Sequence, residues 1–127
     1  MLPENITPEI IAFLTERHLA SLTTLRKDGS PHVVPVGFSF DASRNEVLVI
    51  TFAGSQKVKN AERGGRAVVS QVDKGRWLSL EGTARVATDE VSVARGVAGY
   101  AARYQAPKER LDRVVIIIAV DKILGRA

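Results

Sequence analysis

The sequence has no cysteine and only two histidines, one tryptophan and two tyrosines among its 127 residues. Without thiols there are no disulfides, thiolate zinc sites, iron–sulfur clusters or cysteine nucleophiles, and two imidazoles are too few for most histidine metal centres. We therefore expect no metal. Long apolar runs are missing as well: the longest, Val114 to Val120, runs straight into Asp121 and Lys122, far short of the roughly 20 residues of a membrane-spanning helix. The first residues, Met1-Leu2-Pro3-Glu4-Asn5, carry neither the basic cluster nor the apolar stretch of a signal peptide, so a cytoplasmic location without a membrane partner is expected. Also absent are G-x-S-x-G, G-x-x-x-x-G-K-S/T, G-x-G-x-x-G and H-E-x-x-H, which sets aside the enzyme classes built on those loops. No carboxylate pair suggests glycoside chemistry, because Asp28, Asp41, Asp73 and Asp89 all fall at turn or cap positions.

What is present has an ordinary balance, 45% hydrophobic and 25% charged in 13.8 kDa, which predicts one core and one domain over residues 1–127. The net charge of +4 suits an anionic partner, but the cations are scattered among acids. Arg103, Tyr104, Lys108, Arg110 and Arg113 form one basic stretch with a single aromatic. A solvated face is the default for such a run, and stacking aromatics are too sparse for nucleic-acid binding.

Local patterns then divide the chain. Thr7 and Pro8 open a helix with Ile10, Ile11, Phe13 and Leu14 on one face, ending near His18. Alternation from Leu19 to Leu25 reads as a strand, and Asp28-Gly29-Ser30-Pro31 turns it into a second strand, His32 to Phe40. In that second strand Pro35 and Gly37 fit a bulge, a bound flat molecule, or merely an irregular edge. A third strand covers Glu46 to Phe52, and Ser55 caps a short helix through Arg63. Strands follow at Arg66 to Val72 and at Trp77 to Val86, with a bulge expected at Gly82. A third helix beyond Thr88 places Val91, Ala94, Val97, Ala98, Ala101 and Tyr104 at helical spacing until Pro107, and Val114 to Val120 is a last, buried strand. About six hairpin-linked strands with short flanking helices predict a mainly β, antiparallel barrel.

Two constellations carry chemistry. Gly54-Ser55-Gln56-Lys57-x-x-Asn60 offers free backbone N–H groups, a hydroxyl and a cation to an anion such as a phosphate, although a capped surface helix with a lysine gives the same pattern. Arg76-Trp77-Leu78-Ser79 sets the only tryptophan beside an arginine; packing and a cofactor shelf are both open to the tryptophan, a substrate charge and a surface ion pair to the arginine.

The ordered segments Leu19-Ala20-Ser21-Leu22-Thr23-Thr24-Leu25, Asp28-Gly29-Ser30-Pro31-His32-Val33-Val34-Pro35-Val36, Gly54-Ser55-Gln56-Lys57-x-x-Asn60 and Trp77-Leu78-Ser79-Leu80-Glu81-Gly82 resemble the pyridoxamine 5′-phosphate oxidase-like split β-barrel flavin and deazaflavin oxidoreductases. Within them the chain is most similar to the branch using coenzyme F-420, an 8-hydroxy-5-deazaflavin, and to its F-420-dependent biliverdin reductases. The resemblance implies a homodimer with cofactor sites at the subunit interface. It places His32, Val33, Val34, Pro35 and Val36 along the cofactor ring with Ile50 and Thr51 nearby, Ser55, Gln56, Lys57 and Asn60 at its phosphate and side-chain extension, and Trp77 and Ser79 reaching over from the partner. Flavin-binding relatives carry an arginine five residues before the lysine, where this chain has Phe52, so the resemblance implies F-420 rather than flavin mononucleotide (FMN). It further implies hydride transfer to a small, electron-poor conjugated acceptor such as a bilin. An FMN-binding oxidoreductase of the same fold and a non-catalytic cofactor or tetrapyrrole binder are the alternatives.

Overall fold

β-Branched and leucine-rich segments broken by glycine and aspartate turns favour strands joined by short hairpins, and seven form. The computed structural model describes residues 1–127. Its strands are β1 (Ala20–Leu25), β2 (Pro31–Val36), β3 (Ser39–Asp41), β4 (Glu46–Phe52), β5 (Arg66–Asp73), β6 (Arg76–Ala87) and β7 (Arg113–Arg126), with helices α1 (Pro8–Thr15), α2 (Gln56–Glu62) and α3 (Glu90–Arg103). The order β2-β1-β5-β6-β7-β4-β3 is antiparallel throughout and leaves β2 and β3 as edges of an unclosed sheet.

β7 organises the core. Its first half pairs with β4 and nearly its whole length with β6. Val114, Ile116 and Ile118 face the main core with Phe13, Leu22, Phe38, Val49 and Leu80, while Val115 and Ile117 face a smaller cluster containing Leu48 and Ala87, beside the partly buried Val93 of α3. A strand covered on both sides needs an unbroken apolar run, and this run is the one the sequence displays. Gly82 sits at the register shift between β6 and β7, as expected of a bulge.

Four expectations need correcting. The strand expected from His32 to Phe40 is two strands, because the chain breaks at Gly37–Phe38. The last strand continues past Val120 to Arg126, and α1 stops at Thr15 rather than near His18. The face assigned to α3 is also wrong: Val91 is exposed, as are Ala94 and Ala98, and the helix packs through Gly96 and Arg103. A Cβ on Gly96 would stand 2.7 Å from Ile50 Cγ2, and one on Gly99 2.2 Å from Ser39 Oγ. Glycines let α3 lie directly against β3, β4 and β7, and a hydrophobic pattern does not register them.

Glu16, His18 and Asp73 bring their ligand atoms within 4.8 Å of one another, but the two carboxylates are spent on Arg76. The guanidinium donates to both Glu16 oxygens, at 2.9 and 3.0 Å, and to Asp73 Oδ2 at 2.6 Å. Its surface ion-pair reading therefore holds. Hydrogen bonds first from Arg76 and then from His18 lower the Glu16 pKa from 4.5 to about 2. A depressed carboxylate pKa adds stability above the unfolded-state value and loses it as pH falls through the folded one. We predict a declining melting temperature between about pH 4.5 and 2 that is shallower in Glu16→Gln; parallel wild-type and variant profiles in thermal melts would refute this.

Candidate functional site

The break between β2 and β3, the end of β4 and the start of α2 meet around a cleft of about 310 Å³. Pro35, Val36 and Gly37 line it from the first, Ile50, Thr51 and Phe52 from the second and Lys57 from the third, with Tyr100, Pro107, Arg110 and Arg113 closing it. Five residues expected at a cofactor site therefore converge: Pro35, Val36, Ile50, Thr51 and Lys57. The sequence separations are long, and the β4–β7 register explains the closure, since Phe52 pairs with Arg113 and Ala53 N–H donates to Asp112 O at 2.9 Å. The connection after α3 must return beside Phe52 to enter β7.

Electrostatically the cleft is cationic. Burial pushes the Lys57 pKa down with no carboxylate to offset it, and its Nζ lies 5.3 Å from the Phe52 ring centroid. Arg110 Cζ is 4.3 Å from the same centroid while the guanidinium donates to Asp112 Oδ1 at 2.7 Å. Arg113 donates to Lys108 O. A ring flanked by cations and a lysine short of water make a good receptor for an anion. Arg110 changes the argument about position 52: the residue is not an arginine, yet an arginine from another element covers its ring.

The other expected residues have different places. His32, Val33, Val34, Ser55, Gln56, Asn60, Trp77 and Ser79 do not line the cleft. Asn60 is buried and donates to Thr24 Oγ1 at 3.0 Å while accepting from Gln56 Nε2 and Arg63 Nη2, tying α2 to β1. Ser55 precedes α2 without a capping hydrogen bond from its side chain; its Oγ and His32 Nδ1 are buried atoms without partners. Ser79 Oγ donates to Ser70 Oγ, and Trp77 is 38% exposed.

Sequence reasoning missed Tyr100, Pro107, Arg110 and Arg113 as lining residues. The basic stretch was visible but read as a solvated face. That holds for the exposed Lys108 and fails for Arg103, which is 8% exposed, and for the half-buried Arg113, while Arg110 is exposed yet also lines the cleft. Gly37 does make room, though for protein: a Cβ there would lie 3.0 Å from Tyr100 Cε2 and 3.1 Å from Tyr104 Cε2.

Comparison with known proteins agrees with this architecture. Over 97% of its length the chain is 52% identical to an F-420H(2)-dependent biliverdin reductase of Mycobacterium tuberculosis (strain CDC 1551 / Oshkosh), covering 90% of that protein. The crystal structure of the conserved hypothetical protein Rv2991 from Mycobacterium tuberculosis superposes with a TM-score of 0.81 at 23% identity, covering 95% of this chain and 84% of that one. A solved F-420 reductase gives 0.76 at 21% identity, covering 94% and 98%. At those identities the two structures speak for the fold. The family model described as pyridoxamine 5′-phosphate oxidase matches residues 6–127, and with a relative at 52% identity the chain belongs to this split-barrel oxidoreductase family.

Proposed function

We infer that this protein is an F-420-dependent oxidoreductase that passes a hydride from the reduced cofactor to an electron-poor conjugated acceptor, with a bilin tetrapyrrole as the acceptor class. The observation that carries it is the cationic cleft around Lys57 in a chain 52% identical to an F-420H(2)-dependent biliverdin reductase. The residues fit such a cofactor: Ser55 Oγ and His32 Nδ1 are buried without partners, and Lys57 has no carboxylate. The reduced deazaflavin supplies hydride chemistry, and the protein supplies orientation and electrostatics.

In this reading Lys57, Ser55 and the adjoining Gln56 hold the phosphate and its extension, with Arg110 and Arg113 adding charge. Asn60 acts by fixing α2 against β1. His32, Val33, Val34, Pro35 and Val36 run along the ring, and Ile50 and Thr51 complete its bed; the apolar members keep water from the reacting atoms. The test is direct: mix the protein with reduced F-420 and follow recovery of the oxidised absorbance when biliverdin is added. Recovery at an enzyme-dependent rate is expected, whereas binding without turnover would select the non-catalytic alternative. Tighter binding of FMN in a parallel titration would select the flavin one.

The proposal takes residues 1–127 as one split-barrel domain that works as a homodimer. The outer face of β1, β2, β5, β6 and β7 supports this. Ser21, Ser70 and Ser79 stand there in register, with Val33, Val72, Trp77 and Leu124 exposed around them and the charges of Glu81, Lys122 and Arg126 toward its β6–β7 side. A second copy there would bury Trp77 and bring Trp77 and Ser79 to the partner's cofactor. No helix is long and apolar enough to cross a membrane. Light scattering should report a dimer at micromolar concentration, and Val72→Asp should convert it to monomer; a monomeric wild type would remove the shared site.

A further inference from the structure

Arg103 is a buried cation whose hydrogen bonds all go to uncharged acceptors. Its Nε donates to Glu16 O at 2.8 Å, Nη1 to Phe38 O at 2.9 Å and Nη2 to Gln71 Oε1 at 2.7 Å, while Gln71 Nε2 donates to Phe13 O. The neighbouring Tyr104 hydroxyl donates to His18 O at 2.6 Å and accepts from Phe38 N–H at 3.2 Å. Both backbone polar groups of Phe38 thus end on side chains from the C-terminal end of α3, at the place where the β2–β3 path leaves the sheet. Buried backbone groups need partners, and here they are obtained away from any ladder.

The same place is the wall of the cleft. Gly37 precedes Phe38, lines the cleft with Val36 and Tyr100, and has the Tyr100 and Tyr104 rings, whose centroids are 4.9 Å apart, against its Cα. Neither Arg103 nor Tyr104 lines the cleft. A solvated basic stretch would not place three guanidinium bonds on the interior.

We propose that Arg103 and Tyr104 are positioning residues: by clamping Phe38 they set the Val36–Gly37 wall against which the cofactor ring and acceptor align. The inference rests on the reading of the cleft given above. Hydride transfer requires near-contact alignment, and a displacement of about 1 Å can cost on the order of 100-fold in rate. The phosphate anchor at Lys57 is on a different element, so rate and affinity should separate.

Tyr104→Phe keeps the ring against Gly37 and deletes the hydroxyl. We expect the single-turnover rate of reduced F-420 oxidation by biliverdin to fall about 10-fold, the F-420 dissociation constant to change less than about 2-fold, and the Phe38 amide to exchange its hydrogen at least about 10-fold faster. Gly37→Ala, which presses a methyl on both tyrosine rings and so displaces the wall from the clamp side, should lower the rate with the same affinity signature. If Tyr104→Phe does not fold, Gly37→Ala alone decides. Unchanged rates, or a loss confined to affinity, would overturn the proposal. A wild type that neither binds nor oxidises reduced F-420 would instead overturn the functional reading, and amide exchange at Phe38 would still report whether the clamp holds the wall.

Discussion

Lys57→Ala raises the apparent dissociation constant for reduced F-420 by roughly 5-fold to over 100-fold, the equivalent of about 1–3 kcal/mol for a charged anchor at a partly exposed site. The expectation follows from a lysine whose charge is disfavoured by burial and offset by no carboxylate. An anion at this place offsets that penalty. If, as proposed, the side chain holds the end of the cofactor remote from the reacting atoms, the rate at saturation should stay within about 2-fold, since only an interaction strengthened in the transition state lowers it. The difference between wild type and variant should shrink as salt rises, the contact being screened. Fluorescence titration at low ionic strength with saturated turnover alongside makes the check. Unaltered affinity would leave Lys57 a surface lysine and put the phosphate elsewhere; a loss of turnover with affinity preserved would put Lys57 at the reacting atoms.

Gly82→Ala should damage folding severely. Its Cβ would sit 1.9 Å from the Ala119 carbonyl oxygen and 2.6 Å from the carbonyl carbon. Those atoms belong to β7 and cannot rotate away as a side chain does. Accommodating them means breaking the bulge that lets β6 shift register between Glu81 and Gly82 and still pair with β7 as far as Ala87. We expect a cost of about 3 kcal/mol or more, at the upper end for overpacking, and a melting temperature lower by roughly 10 °C. Gly75→Ala, where a Cβ meets nothing within 4 Å, is the matched control and should melt close to wild type. Equal melting of the two variants would show that the bulge register is wrong.

Elements with a strong local period were legible in advance. β4 spans Glu46–Phe52 with the bounds expected from its branched residues, and α2 ends one residue earlier than predicted. Tyr104 and Arg103 show the opposite case. The sequence pattern puts Tyr104 on an apolar helix face and Arg103 in solvent, yet both are committed to the backbone of Phe38, 66 and 65 positions away. Nothing within a few residues of either position announces that partner.

The sequence by itself determined the element types, the antiparallel hairpin logic, the doubly covered β7 run, the Gly82 bulge and the lysine at the start of α2. Each depends on interactions within a turn or two of chain, where side-chain period, glycine and capping residues act directly. Only the tertiary structure decided that α3 packs through glycines, that Phe52 receives a cation from Arg110, that Asn60 is a tether, and that Gly37 makes room for tyrosines. These outcomes depend on which distant surfaces meet. A glycine contact is defined by what fills the missing side chain, and a cation's role by the groups it finds within a few ångströms; both are set by the β4–β7 pairing and the close approach of α3, not by neighbours in sequence.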